Sequence, residues 1–233
     1  MDIVKEITMF HRGIAILALT SQGVKTAIKI KDALSKMKLK CTIFAPKKYV
    51  QEEVSPLDKK LRDFVREAFD KVDAIVAIMA AGIIVRVIAP CLKSKMSDPA
   101  IVGVDDSGKF VISLLSGHYG GANDLTRLIA DGIGALPVIT TASEVMGKES
   151  VEELAKILHY DIKNPESLTA VNSAIVNGEK LVMVFTGDVK ALVNKILDFE
   201  IEMAENSERA IDIVNDFDSG IIVTKEGISQ NKL

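Results

Sequence analysis

The chain has 233 residues, 48% of them apolar and 26% charged, enough for a sizeable core and for two small α/β domains. A formal net charge of −3, with no basic-aromatic cluster, excludes a general electrostatic attraction to nucleic acid. The longest apolar run, 74–89, is broken by Gly82 and Arg86 and stopped by Pro90, so it predicts a buried strand followed by a helix and no membrane span. The leading residues 1–6 show no basic region ahead of an apolar signal core. Cys41 and Cys91 are isolated in apolar settings and read as reduced core thiols, which places the chain in the cytoplasm.

Residues 14–20 predict a first buried strand. Ser21 caps a helix whose inner face is Ala27, Ile30 and Leu34. A second strand follows at 41–45, stopped by Pro46, and an amphipathic helix at 57–72 turns Leu61, Phe64, Val65, Ala68 and Phe69 inward. Residues 74–79 form a third strand, and Ala80-Ala81-Gly82 turns into a helix reaching about residue 92. Strands at 101–104 and 110–113 flank Asp105-Asp106-Ser107-Gly108, a strong hairpin signal. A helix follows Gly121 and ends near Gly134, and a short strand covers 136–140. Repeated alternation of strand and helix predicts a layered α/β domain over 1–144, its sheet mostly parallel with an antiparallel hairpin. The carboxyl strand ends at Thr20, Ala80, Ser116 and Thr140 are expected to face one cleft.

After about residue 141 the pattern changes. Helices are predicted at 151–159, 165–176 and 189–197, and strands at 181–185, 211–214 and 220–223. This predicts a second, smaller α/β domain over 145–233.

The chemistry concentrates in Ser116-Gly117-His118-Tyr119-Gly120-Gly121, between a strand and a helix. Such a turn leaves backbone N–H groups at the helix start for an anion or a developing negative charge. His118 titrates near neutral pH and can move protons there, or it can simply bond the turn backbone. His11 and His159 lack such a setting. Gly117, Gly120 and Gly121 allow a close approach of backbone to ligand, or serve a tight turn alone, and they match no standard nucleotide pattern. Asp98, Asp105 and Asp106 are turn residues that can also orient His118 or activate water. Arg86 interrupts an apolar helical run and must snorkel or pair with an acid; Lys93, Lys95, Lys109 and Arg127 add positive charge in the same region. Thr140, Thr141 and Ser143 can donate to substrate oxygens or cap the next helix. No Cys-His cluster has metal spacing.

Four runs in order carry a family resemblance: Ala81-Gly82-Ile83-Ile84-Val85-Arg86 with its continuation to Pro90, 97–105, Ser113 to Asn123, and Pro137 to Ala142. Together they resemble the CbiG family of cobalamin biosynthesis, whose members are cobalt-precorrin-5A hydrolases. The resemblance covers about 14–144 well and the remainder loosely, without the family's C-terminal domain. It implies a cobalt-bound macrocycle as substrate, whose δ-lactone is opened by water and which then loses acetaldehyde. It implies that the cobalt travels with the substrate, so that no protein metal site and no cofactor is required. The resemblance implies His118, with Asp98 and Asp105, as catalytic residues. Gly82, Arg86, Gly117, Gly120, Gly121, Asn123, Arg127, Thr140 and Thr141 are then the substrate-binding set, with Gly82, Asp98, the glycine turn and Thr140 lining one cavity. The amides of Gly120, Gly121 and Ala122 would hold an oxyanion or a carboxylate. A second copy or a separately encoded C-terminal domain is the expected partner. The alternative is a non-catalytic tetrapyrrole-binding or scaffold subunit.

Overall fold

The computed structural model describes residues 9–94, 96–142, 145, 147–158, 160–186 and 199–225. The chain divides into two compact units, Met1–Thr140 and Thr141–Leu233. No helix among the described residues is long and apolar enough to cross a membrane.

The first unit is a seven-stranded sheet in the order β3-β2-β1-β4-β5-β6-β7. Its strands are β1 (Ile14–Ala18), β2 (Cys41–Ala45), β3 (Val54–Pro56), β4 (Ala74–Ile78), β5 (Ala100–Val104), β6 (Phe110–Leu115) and β7 (Leu136–Val138). β1, β4 and β5 are continuous apolar runs because both faces of the sheet are covered, and every residue in them is buried. Alternate residues feed two cores. Ile14, Ile16, Ala18, Val76, Ile78, Val102 and Val104 pack with α1 (Ser21–Lys36) and α4 (Ala122–Ile133) on one face. Leu17, Ile75, Ala77 and Ile101 pack with α2 (Leu61–Phe69) and α3 (Ala81–Ile88) on the other. Each fully buried Leu, Ile or Val contributes about 1.5–3 kcal/mol. Helix α2 is shorter than the predicted 57–72, because β3 pairs with β2 just upstream and its Pro56 ends that strand.

From β3 through β5 every pairing is parallel. β6 then returns antiparallel to β5 through the hairpin, and β7 lies parallel to β6. The α/β class and the mostly parallel sheet are as the sequence predicts.

The second unit is a smaller three-stranded sheet, order β10-β8-β9, parallel throughout. β8 (Leu181–Thr186) is wholly buried between β9 (Glu200–Ala204) and β10 (Ser219–Val223). Helix α5 (Val151–Leu158) puts Leu154 and Leu158 on Met183 and Phe185. It starts at a capping box, in which Ser150 N–H donates to Glu153 and Glu153 N–H donates to the Ser150 hydroxyl. Helix α6 (Leu168–Asn177) packs Ala174 and Ile175 on Leu181. Residues 211–214, predicted as a strand, are instead the end of α7 (Ser207–Val214). Asn206 caps this helix by accepting from Arg209 N–H, and Ala210 is buried against β8. The predicted helix at 189–197 lies outside the described residues, as do Lys95, Ser143 and His159.

Candidate functional site

The sheet has two edges, and chain direction decides which residues share one. β1, β4 and β5 all end at the same edge, which therefore collects Thr20, Gly82, Asp105 and Asp106. β6 runs the other way, so its end lies beside the start of β5, with Leu115 opposite Ile101. Ser116, His118 and, through β7, Thr140 thus sit at the amino edge of the parallel strands. A five-residue strand puts the two edges about 16 Å apart. The single cleft expected for Gly82, Asp98, His118 and Thr140 does not exist. The hairpin at Asp105–Gly108 turned β6 around.

At the carboxyl edge a cleft of about 390 Å³ opens between the β1–α1 loop and the β4–α3 loop. The strand order reverses between these two strands, which is where open α/β sheets bind ligands. Leu19, Met79, Ile83, Ile84 and Leu114 make apolar walls, and Thr20, Asp105 and Asp106 are its polar members. α3 starts at Ala80 with no side-chain cap, and Ala80 to Ile83 are exposed. Ile83 and Ile84 N–H donate to the Ala80 carbonyl, which leaves the Ala81 and Gly82 N–H groups at the open end. Exposed Arg86 brings Nη1 to 3.6 Å from where a Cβ on Gly82 would stand. The opposite wall is knitted together. Thr20 Oγ1 accepts from Gly23 N–H at 2.9 Å and donates to Asp106 Oδ2 at 2.9 Å, while Thr26 Oγ1 donates to the Asp106 carbonyl at 2.7 Å. Asp105 is a turn residue: Lys109 and Phe110 N–H donate to Oδ1 at 2.8 and 2.6 Å, and Ser107 donates through both N–H and hydroxyl to Oδ2. Burial pushes its pKa up, but the bonds from Ser107, Phe110 and Lys109 prevail and hold it below the usual carboxylate value.

The amino edge holds Asp98, the glycine turn, Asn123, Arg127 and Thr140. Asp98 is buried and accepts from Lys93 N–H at 3.1 Å and Ser94 N–H at 3.2 Å, which closes the loop ahead of β5. Its carbonyl accepts from Ser116 Oγ at 3.0 Å, so Asp98 and the turn do lie together. Packing explains the glycines. A Cβ on Gly117 would stand 2.8 Å from Asn123 Oδ1, one on Gly120 2.5 Å from Ser116 Cβ, and one on Gly121 2.2 Å from Met9 Sδ. The helix-start amides are also engaged. Ala122 N–H donates to Ser116 O and Asn123 N–H to Gly117 O, so the Ala122 amide expected to hold an oxyanion is occupied within the turn. Asn123, expected to bind substrate, is 1% exposed and takes the Ser113 hydroxyl on its Oδ1 at 2.7 Å. Arg127 pairs with Asp124 at 3.5 Å. His118 is half-buried, Tyr119 is exposed, and Thr140 is an exposed residue ending the first unit, with Thr141 beginning the second. Among the described residues no three His, Cys, Asp or Glu side chains gather as metal ligands.

The sequence names Thr20 as a strand end facing a cleft and Asp106 as an acid that can orient His118 or activate water, but it does not pair the two. Their contact follows from the strand order, which sets β5 next to β4 and β4 next to β1.

Residues 63–144 match the family described as Cobalamin synthesis G N-terminal. The chain is 38% identical over 175 residues to the cobalt-precorrin-5A hydrolase of Salmonella typhimurium, a match covering 75% of this chain and 48% of the relative. It is 36% identical over 171 residues to the cobalt-precorrin-5A hydrolase of Priestia megaterium, covering 73% of this chain and 46% of that one. The chain thus spans about half the length of the curated relatives it matches. The crystal structure of a cobalamin biosynthesis protein G homolog from Sulfolobus solfataricus superposes with a TM-score of 0.55 at 27% identity, covering 94% of this chain and 61% of that one.

Proposed function

We propose that the chain is a member of the cobalamin synthesis G family and that its first unit takes part in cobalt-precorrin-5A hydrolysis, in which water opens the δ-lactone and acetaldehyde is released. The observation that carries this reading is the match over 63–144, which includes both the start of α3 and the turn at 116–121. The substrate brings its own cobalt. Its carboxylate side chains suit the arginine fork of Arg86 beside the open start of α3, and its ring edges suit the apolar walls of the cleft. We place the macrocycle rim in the carboxyl-edge cleft, because it combines a cavity, the Ala81 and Gly82 amides at the start of α3 and the position where the strand order reverses. Lactone opening needs donors for the oxyanion as well as a base, and the Ala81 and Gly82 amides of α3 are the donors at hand.

A second location is the turn at the amino edge, with His118 as proton carrier. Its titratable ring, set half-buried beside exposed Tyr119, favours it. The two locations are separated by one assay: acetaldehyde released from cobalt-precorrin-5A by the purified chain. Gly82→Val sets a branched side chain against the Arg86 guanidinium and the open start of α3 and is expected to lower turnover at least tenfold, while His118→Ala stays within a few-fold of the parent. The reverse ranking moves the chemistry to the amino edge, where loss of an acid–base group would cost about 10²- to 10⁴-fold. A folded parent that binds the substrate and releases no acetaldehyde defeats the hydrolase reading.

A further inference from the structure

We propose that Asp106 is the proton-accepting catalytic residue of the carboxyl-edge cleft and that Thr20 positions it; this rests on the hydrolase reading above. Asp105 and Asp106 are the titratable side chains lining that cleft, and they are adjacent in sequence. Their bonding differs. Asp105 receives donors on both oxygens from within its own turn, which leaves it no role beyond holding the hairpin. Asp106 receives none from the turn. Its carbonyl is held by Thr26 and its Oδ2 by Thr20, both from α1 or its cap, and its Oδ1 is buried without a hydrogen-bond partner. Native proteins satisfy nearly all buried polar atoms, and a carboxylate oxygen left over calls for a reason. An ionised carboxylate accepts at about four lone-pair sites, and a single bond to Thr20 leaves Oδ2 a second site for a water proton.

The placement is built in from several elements. A Cβ on Gly23 would stand 3.0 Å from Asp106 Oδ1 and 3.1 Å from Thr20 Oγ1, so this wall tolerates only glycine without moving the carboxylate. Thr20 is itself fixed by Gly23 N–H. The hairpin tip, the α1 cap and the floor of the cleft thus hold one carboxylate where the strand order reverses.

The chemistry balances with water alone. A water oxygen bonds to the lactone carbonyl carbon, and Asp106 takes one water proton. The ring acyl C–O bond then breaks as the carbonyl re-forms. The departing ring oxygen takes the proton back from Asp106, leaving a carboxylic acid and an alcohol. The amides at the start of α3 stabilise the oxyanion between the two steps.

Asp106→Asn keeps the shape and an acceptor for Thr20 but takes no proton. Its turnover of cobalt-precorrin-5A is expected to fall about 10²- to 10⁴-fold with KM within threefold, and the acid limb of the kcat–pH profile to disappear. A role in stabilising α1 alone would move the melting temperature and leave that limb in place. Thr20→Val is expected to lower kcat about tenfold, and Thr20→Ser to restore it. An Asp106→Asn protein within threefold of the parent, with its acid limb intact, overturns the inference and leaves the hydrolase reading standing. Should that variant not fold, Thr20→Val at parent kcat with an unshifted acid limb overturns it instead. A parent that binds cobalt-precorrin-5A but yields no acetaldehyde removes the reading on which the inference rests.

Discussion

Replacing Gly121 by alanine tests whether the glycine turn is built for packing. Two glycines bound helix α4, and both have left-handed backbone: Gly121 at φ +81° and Gly134 at φ +72°. An L-residue in that region costs about 1–2 kcal/mol, so Gly134→Ala, whose Cβ meets nothing within 4 Å, is expected to lose that much and no more. Gly121→Ala incurs the same strain. Its Cβ would also stand 2.2 Å from Met9 Sδ and 3.2 Å from Phe10 Cζ. Met9 has a flexible end and can retreat, but Phe10 is 2% exposed and belongs to the core beside α1 and α4. Overpacking of this kind adds about 1–3 kcal/mol, for a total of about 2–5 kcal/mol. In a thermal melt followed by far-UV circular dichroism, each kcal/mol corresponds to about 2–4 °C for a chain of this size. The gap between the two variants, not the absolute loss, measures the packing. Equal melting temperatures for the two would refute the account of the turn and return Gly121 to a role in ligand approach.

Two further measurements follow from titration. Asp105 has its folded pKa held below the usual value by the hairpin donors, so its stabilising contribution is present above the unfolded carboxylate pKa and fades as pH falls toward the folded one. Asp105→Asn should therefore lower stability near neutrality and flatten the acid side of the stability–pH curve, so that variant and parent converge at low pH, as read by urea midpoints. Burial, only partly offset by Lys31, pushes the Cys41 thiol up to about 11. A raised folded pKa favours the folded state below pH 9 and loses that contribution as pH climbs to about 11. At pH 8 Cys41 should thus alkylate with iodoacetamide more slowly than the unfolded chain, and rapid labelling of native protein would contradict its burial.

How far a sequence reveals a fold depends on how much of the signal is local. Residues 14–18, 41–45 and 74–78 are apolar runs bounded by turn residues, and they stand as strands where the pattern put them. β3 escaped notice because three residues with a proline carry no periodicity and exist only through pairing with β2. Ile211-Asp212-Ile213 alternates like a strand, but the Asn206 cap and the burial of Ala210 against β8 set a helical period instead. β9 is absent from the sequence reading, although Glu200-Ile201-Glu202 alternates as an edge strand should. The site was legible residue by residue and not as an arrangement. The hairpin at Asp105–Gly108 was plain, yet it also reverses β6, and so the turn holding His118 and the loop holding Gly82 take opposite ends of the sheet. Asp98 and Ser116 do meet, because their segments run to the same edge.

The outer strands of the large sheet have a bearing on assembly. β3 and β7 are each three residues long, and each contains a proline, Pro56 in one and Pro137 in the other. A proline removes a donor from the rim, and so short a rim offers little template to a foreign strand. The sheet is therefore closed to lateral growth on both flanks, which protects a β-rich, highly apolar core from templated aggregation during synthesis. An assembly built on this sheet is thus made through its helices and loops, where side-chain chemistry and not backbone pairing selects the partner.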